Sequence, residues 1–410
     1  MLSLPPTIGS YEIVKLPQNP EDVGYGESII VNLEQQIPNI EAARHCATFE
    51  WFLIKVDDEK STLSEEASIL HSASGGVGIP RLRYFGIHKG RSVMILDLYG
   101  PCLEQVFNHR DRQCSMQTLL LLAIQLLSRV RYLHSRNILH GNLSPWSFAL
   151  GCPNWQSHQF MFTDFKIMKD QPRSARGDLL RLGNILSYMN RGASTSWEDH
   201  LIRPPKTEPP FLASYFRVVE KSQKIDYQLL QSTLQGYYEE FVCQMEVALG
   251  LGGSRALKQS LTPNLGHLLT CSTGEMRQHH SFALERVQCG SNFPGNGDLF
   301  WHDLDHLFEI YIAIFVRYKA EDISRALNDA WGTMHSLLHG TSQPLRLSIL
   351  YRFYRFFAVL LETLPSYKSN WISCLSNIAM LLSNAHARRV NIDSALQTVA
   401  HWKSVQDEEC

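Results

Sequence analysis

The segment that decides the fold lies between residues 75 and 183. It reads GGVGIPRLRYFG at residues 75–86, DLYGPCLEQVFN at 97–108, YLHSRNILHGNLSPWSFALG at 132–151, FTDFK at 162–166 and RSARGDLLRLG at 173–183. Glycines and prolines separate short apolar runs in these motifs, which is typical of strands and helices joined by tight turns.

The flanking sequence supports a mixture of the two element types. Runs of apolar or alternating residues predict strands at Tyr11–Leu16, Ser28–Leu33, Phe49–Val56 and Arg91–Leu98. Apolar residues at three- and four-residue spacing predict helices at Leu63–Ala73, Leu103–Asn108, Met116–His134, Asp178–Asn190 and Phe211–Phe241. The sequence therefore predicts an α+β fold.

In their order and spacing, the motifs resemble the core of a protein kinase of the casein kinase 1 family, over about residues 8–245. The resemblance implies a bilobal protein-kinase-like fold, with a small β-rich N-lobe at residues 8–100 and a helical C-lobe at 101–245. Residues 246–297, with Gly, Ser and Asn clusters, are expected to form an irregular linker. Helical spacing at 298–410 predicts an all-α C-terminal domain, packed on the lobe or tethered to it.

The resemblance also implies where a nucleotide would bind. Lys55, in FLIK, matches the lysine that holds the α- and β-phosphates, Glu66 matches its helical partner, and Asp164 matches the metal-binding aspartate. ATP with Mg²⁺ is therefore a conceivable ligand, although no cofactor is required. The glycine-rich loop is incomplete, because only Gly24 and Gly26 are present and a plain turn explains them equally well.

The positions that perform catalysis in the family are changed. Active members carry H-R-D-x-K-P-x-N where this chain has HGNLSPWS, so Asn142 replaces the aspartate, Ser144 the lysine and Ser147 the metal-binding asparagine. A neutral amide is not a carboxylate base, whose loss commonly costs about 10²–10⁴ in rate. Ser144 carries no positive charge for the transferred phosphoryl group.

The activation segment is short as well. Asp178 matches the family's aspartate that anchors the catalytic-loop backbone, and only thirteen residues separate it from Asp164. An activation loop and a peptide-docking platform do not both fit in that interval. Even with a restored base, we expect the substrate shelf to be missing.

Two further positions concern packing. At the two positions that lie above and below the adenine ring in the family, this chain has Leu53 in place of a small alanine and Ala149 in place of a larger residue. The exchange either conserves volume or closes the site with side chains. His140 is expected to be a core residue that stacks with Phe165 and Leu70.

Composition excludes several functional classes. The chain has 410 residues, a net charge of −2 and 44% hydrophobic residues, which gives no indication of nucleic acid or an anionic membrane as partner. Nine cysteines without a CxxC pair suggest reduced thiols, and the N-terminus lacks signal-peptide features. We expect an intracellular protein, cytoplasmic or nuclear. Arg352 and Arg355 interrupt the most apolar late stretch, so no membrane span is expected.

These observations lead to the hypothesis of a catalytically inactive casein kinase 1-like pseudokinase that acts as a protein-interaction scaffold or allosteric regulator. The alternative is an atypical serine/threonine kinase that binds ATP through Lys55, Glu66 and Asp164. A third possibility makes the C-terminal helices the functional part, with protein partners binding there. The aromatic cluster Tyr351–Phe357 is expected to be core. Because Arg352 and Arg355 lie within it, a surface that binds a protein partner is the alternative.

Overall fold

The computed structural model combines an N-terminal antiparallel sheet with a helical remainder, which confirms the α+β class. The residues that the structure describes are 7–14, 40–57, 62–151, 159–163, 165, 173–192, 196–202, 205, 207–221, 224–249, 268, 271, 273–290, 297–317, 320–339, 341–386 and 398–405. The strand predicted at Ser28–Leu33 and the glycines Gly24 and Gly26 lie outside them.

Six strands form the curled sheet, in the order β1-β2-β3-β4-β6-β5 with every neighbouring pair antiparallel. Their bounds are β1 Thr7–Ile8, β2 Tyr11–Val14, β3 Ile40–His45, β4 Trp51–Asp57, β5 Leu82–His88 and β6 Arg91–Asp97. The sequence did not indicate β3, whose central Ala42 and Ala43 are small but fully buried. Strand propensity favours larger β-branched or aromatic residues, which explains the omission.

Helix α1 (Thr62–Ser72) packs on β4, β5 and β6. Its buried side chains Leu63, Ala67 and Leu70 follow the three- and four-residue spacing of an amphipathic helix. Glu66 lies on the same buried side, so α1 carries a carboxylate toward the sheet.

Between residues 103 and 249 the described elements include helices and one pair of short antiparallel strands. They are α2 Leu103–His109, α3 Met116–Ser135, β7 Phe148–Leu150, β8 Phe160–Phe162, α4 Ala175–Arg191, α5 Trp197–Ile202, α6 Pro210–Lys221 and α7 Tyr227–Leu249. Serine caps begin both long central helices, because Ser115 accepts a hydrogen bond from Thr118 N and Ser174 accepts one from Gly177 N. These caps fix the two helices on either side of HGNLSPWS at residues 140–147, called here the catalytic-loop motif after the kinase segment it resembles.

The C-terminal helices share one aromatic core. They are α8 Thr273–Gly290, α9 Gly297–Arg317, α10 Ala320–Leu338, α11 Gln343–Thr363 and α12 Lys368–His386, and residues 398–405 are also helical. Phe308 stacks on Phe356 at 4.5 Å between ring centroids, and Trp371 is fully buried beside Phe315. The aromatic residues of 351–357 thus contribute mainly to this core, as predicted.

Helix α8 corrects the expected irregular linker at 246–297. Its buried residues Met276, Ala283 and Val287 join the C-terminal core at helical spacing. The Gly, Ser and Asn clusters on either side obscured this short periodic stretch.

The C-terminal helices pack directly against the sheet and α3. Arg129 of α3 is fully buried and forms a two-pronged ion pair with Glu362 of α11, with 2.8 Å between Nη2 and Oε2. Arg355 pairs with Asp97 at the end of β6, and Trp301 Nε1 donates to the Thr48 carbonyl at 2.6 Å. Of the two expected arrangements, packed or tethered, the structure has the packed one.

The packing of the C-terminal helices against the rest of the chain explains part of the glycine motif at 75–78. Gly75 has φ +85°, and a Cβ there would lie 2.1 Å from Thr398 Oγ1. Thr398 and Tyr354 donate hydrogen bonds to the carbonyls of Ser74 and Gly75. The backbone of this turn therefore lies directly under the last helical segment, where a larger residue does not fit.

None of the helices in the described ranges has both the length and the apolar character that a bilayer crossing requires.

Candidate functional site

The predicted pair Lys55 and Glu66 meets between β4 and α1. Lys55 Nζ donates to Glu66 Oε1 at 2.7 Å and to the Thr163 carbonyl at 2.6 Å. The Glu66 side chain is 1% exposed and that of Lys55 is 16% exposed. The ion pair joins the sheet to α1 and to the end of β8, so much of the ammonium's donor capacity is used within the protein.

The Thr163 carbonyl is a partner that the sequence did not indicate. Thr163 follows β8, and its own amide donates to the Ser147 carbonyl at 3.0 Å. Its hydroxyl donates to the Trp146 carbonyl at 2.7 Å. Lys55 is thereby linked through Thr163 to the catalytic-loop motif, and a backbone carbonyl carries no residue-specific signal that could have revealed this.

The catalytic-loop motif brings Ser144 and Ser147 together in a local turn. Ser147 Oγ accepts a hydrogen bond from Ser144 N at 3.1 Å and lies 3.2 Å from Ser144 Oγ. Pro145–Ser147 is a 3-10 turn, and Ser147 is buried. Both hydroxyls serve to hold the turn, in the manner of a reciprocal cap.

Asn142 lies just before this turn, and its backbone nitrogen lies 3.3 Å from His140 Nδ1. Residues 139–151 contain no Asp, Glu, Lys or Arg. Within this segment nothing can act as a carboxylate base or place a positive charge on a phosphate.

Asp178 holds the loop that precedes Asn142. One carboxylate oxygen accepts from His140 N and from His134 Nε2, both at 2.9 Å, and the other accepts from Gly141 N at 2.7 Å. Burial alone raises the pKa of Asp178, but the hydrogen bonds from His134, Gly141 and His140 outweigh it and lower the pKa below its usual value. The structure places Asp178 where an anchoring role requires it.

His140 is a packing residue. Its ring stacks on Phe162 at 5.8 Å and lies 6.0 Å from Phe165, and Leu70 belongs to the same buried cluster. Since His140 is 4% exposed and its amide is bonded to Asp178, its role is structural.

An apolar cluster, here called the sheet slot, lies where the resemblance would put an adenine ring. It consists of Ala42, Leu53, Tyr99, Ala149 and Met161, with Leu98, Cys102 and the edge of Trp51. Leu53 and Ala149 have no exposed surface, and Tyr99 and Met161 have 1% and 4%. Of the two alternatives left open by the sequence, this packing favours a slot closed by side chains.

Backbone bonds keep the slot narrow. Gly100 N donates to the Leu150 carbonyl at 2.8 Å, and Leu150 N donates to the Pro101 carbonyl at 3.0 Å. A Cβ at Gly100 would lie 2.6 Å from the Gly151 carbonyl oxygen. The segment after β6 and strand β7 therefore touch through their main chains.

Asp164 and Lys166 lie outside the described residues. In the part of the chain that the structure does describe, no three His, Cys, Asp or Glu side chains are grouped so that they could share a metal ion. No protein-family model matches the chain.

Proposed function

We propose that the chain is a catalytically inactive, casein kinase 1-like pseudokinase that acts as a protein-interaction scaffold or allosteric regulator. In this proposal the bilobal kinase-like frame is retained, and residues 8–245 together with the C-terminal helices present one rigid surface to a protein partner. The compartment we propose is intracellular.

One contrast carries the proposal. Lys55, Glu66 and Asp178 make the contacts that the resemblance implies for them. Lys55 Nζ lies 2.7 Å from Glu66 Oε1, and Asp178 accepts hydrogen bonds from the loop amides. Meanwhile Ser144 and Ser147, at two of the three changed catalytic positions, are engaged in a local turn. Such a division favours selection for shape rather than for phosphate transfer.

The packing of the sheet slot supports the same proposal. A nucleotide base needs a flat space lined by apolar groups. Here Leu53 and Ala149 are fully buried in one cluster. We therefore expect no requirement for ATP or Mg²⁺.

The test is phosphate transfer from radiolabelled Mg·ATP to casein and to the chain itself. We expect no transfer above that of a mock preparation. Transfer that Lys55→Ala abolishes, and that the exposed control Lys221→Ala retains, would overturn the proposal.

A second candidate is an atypical kinase, which the Lys55–Glu66 ion pair favours because active kinases use the same pair. Thermal unfolding with and without Mg·ATP separates the two candidates. A ligand at about 100 times its Kd stabilises a protein by about 2.7 kcal/mol. A shift that needs both metal and nucleotide would favour the kinase, and no shift favours the scaffold.

A scaffold also needs a partner. Affinity capture with the full chain, followed by quantitative binding of each captured protein, would identify it. We expect binding to survive Lys55→Ala at a temperature where the variant is folded, since the surface rather than the catalytic centre makes the contact.

A further inference from the structure

A cavity of about 390 Å³ lies among α8, α9 and α10 of the C-terminal helices. Its size falls at the lower end of the range of about 300–1,000 Å³ that is typical of small-molecule sites. None of its lining residues belongs to the sheet slot or the catalytic-loop motif. Hence it is a site separate from the one discussed above.

Two arginines border this cavity from different helices, Arg277 on α8 and Arg325 on α10. Both residues are exposed, and within the described residues neither guanidinium makes a hydrogen bond or an ion pair. The only acidic residue in the lining is Asp329. Its single charge leaves the lining with a net positive charge.

His280 adds an unsatisfied group on the wall of the cavity. Its Nε2 is buried and has no hydrogen-bond partner in the described part of the chain. Burial lowers the pKa of His280 against the opposing influence of Asp329, which keeps the ring neutral near pH 7. Because a buried polar atom without a partner is unfavourable, a ligand atom that bonds to Nε2 would remove a cost that the empty site bears.

The remaining wall is apolar. Met276, Tyr311 and Ala326 are buried, and Ile314 is half-buried. The Tyr311 hydroxyl is engaged with Thr333 at 3.0 Å, so Tyr311 offers its ring rather than its oxygen. The lining thus combines two positive groups with a hydrocarbon surface.

We propose that this cavity binds a small organic anion, a carboxylate or phosphate monoester with an apolar body. Arg277 and Arg325 bind the anionic head by charge-assisted hydrogen bonds, in which guanidinium groups are especially effective. The apolar body packs on Met276 and Tyr311. The inference does not depend on the pseudokinase proposal, because it uses none of the same residues.

Isothermal titration of the full chain tests the site with four probes: phenyl phosphate, hexanoate, inorganic phosphate and neutral 1-hexanol. We expect at least one organic anion to bind measurably. Inorganic phosphate has no apolar body and hexanol has no negative charge. Both are therefore expected to bind at least tenfold more weakly. Equal binding of hexanol and hexanoate, or no binding of either organic anion up to millimolar concentration, would overturn the proposal.

Variants locate the site. Arg277→Gln and Arg325→Gln are each expected to weaken binding by about tenfold, which corresponds to one charge-assisted hydrogen bond. Ala326→Leu enlarges a buried residue of the lining and is expected to block binding while leaving both arginines in place. Arg346→Gln, at an exposed position on α11, is the matched control and should bind as the parent does. If both arginine variants bind as tightly as this control, the anion binds elsewhere and the proposal fails.

Discussion

The sheet slot and the cavity among α8, α9 and α10 differ in how their chemical groups are used. In the slot, Leu53 and Ala149 are fully buried against apolar neighbours. In the cavity, Arg277 and Arg325 have no protein partner among the described residues, and buried His280 Nε2 has none either. The region that resembles a ligand site is packed with side chains, whereas a region without any resemblance has groups available for a ligand.

The comparison shows that intact contacts around a site and a site open to a ligand are separate properties. Lys55, Glu66 and Asp178 keep their contacts because those contacts also hold strands, helix and loop together. A residue type that serves both architecture and chemistry is therefore poor evidence for chemistry by itself. Unsatisfied polar groups beside a cavity are better evidence, since architecture does not explain them.

The largest expected effect concerns the ion pair that joins α3 to α11 of the C-terminal helices. Glu362→Ala leaves the fully buried Arg129 without its carboxylate partner. Removing one member of a buried ion pair typically destabilises a protein by about 3–5 kcal/mol. We expect a loss of this size in the free energy of unfolding, measured by urea denaturation.

The exposed carboxylate Glu285, on α8, supplies the control, because Glu285→Ala should leave the urea midpoint unchanged. Adding Arg129→Met to Glu362→Ala should recover part of the loss, since the uncompensated charge is then gone. A loss below about 1 kcal/mol for Glu362→Ala would mean that this ion pair does not hold α3 and α11 together.

The second effect tests whether the sheet slot is closed by its side chains. Leu53→Ala introduces the small residue that the resemblance to kinases implies at this position and removes a fully buried side chain, with an expected cost of about 2–5 kcal/mol. The vacated volume should admit a flat ring. We expect adenosine to raise the melting temperature of this variant but not that of the parent.

Ile54→Ala is the matched control for that experiment. Ile54 is also fully buried, but it belongs to a cluster on the other face of the sheet. It should lose similar stability without any response to adenosine. A rise in the melting temperature of the parent chain with adenosine would show that the slot is already open. The contrast between a closed slot and an open cavity would then be wrong.

The third effect concerns pH and the last helical segment. His401 lies edge-on to Tyr132 of α3 at 5.0 Å. Burial, with Arg136 and Arg131 nearby, lowers the pKa of His401 to about 4 from the value of 6.5 that an exposed histidine has. Its proton is therefore bound more tightly by the unfolded chain than by the folded one.

The sign of the pH dependence follows from this difference. The contribution of neutral His401 to the free energy of unfolding is fully present above pH 6.5 and is lost as the pH falls toward 4, with a total of about 3 kcal/mol. His401→Gln removes the titrating group, so the stability of this variant should fall less steeply over the same interval. Parallel pH curves for the two proteins would show that His401 does not titrate in this way.

The sequence predicted those parts of the fold where periodicity is strong and unbroken. The helix predicted at Met116–His134 is α3, Met116–Ser135, and the predicted partners Lys55 and Glu66 are 2.7 Å apart. It missed β3, with its small alanines, and α8, whose apolar positions lie between Gly- and Ser-rich stretches. Local pattern is weak evidence where side chains are small or where turn residues crowd a short helix.

Two contacts, one in the fold and one in the candidate site, could not be predicted from the sequence for a physical reason. Arg129 and Glu362 lie 233 positions apart, and the Thr163 carbonyl that binds Lys55 belongs to the main chain. Neither contact leaves a local signature, because each depends on how distant elements pack. The exchange of sizes between Leu53 and Ala149 was visible in the sequence, but only packing distinguishes a closed slot from a reshaped one.

The smallest expected effect is that of Asn142→Asp on phosphate transfer, for which we expect no measurable gain. The substitution supplies a carboxylate, yet Ser144 still provides no positive charge and remains hydrogen-bonded to Ser147. Since electrostatic stabilisation is usually the largest single contribution to catalysis, a base alone gives little rate. The triple variant Asn142→Asp, Ser144→Lys and Ser147→Asn separates the two remaining obstacles. Transfer by the triple but not the single variant would place the block in the loop, and inactivity of both would place it in the slot and the short activation segment. Transfer by Asn142→Asp alone would show that the frame had kept a working site, and that the contrast between the slot and the cavity is wrong.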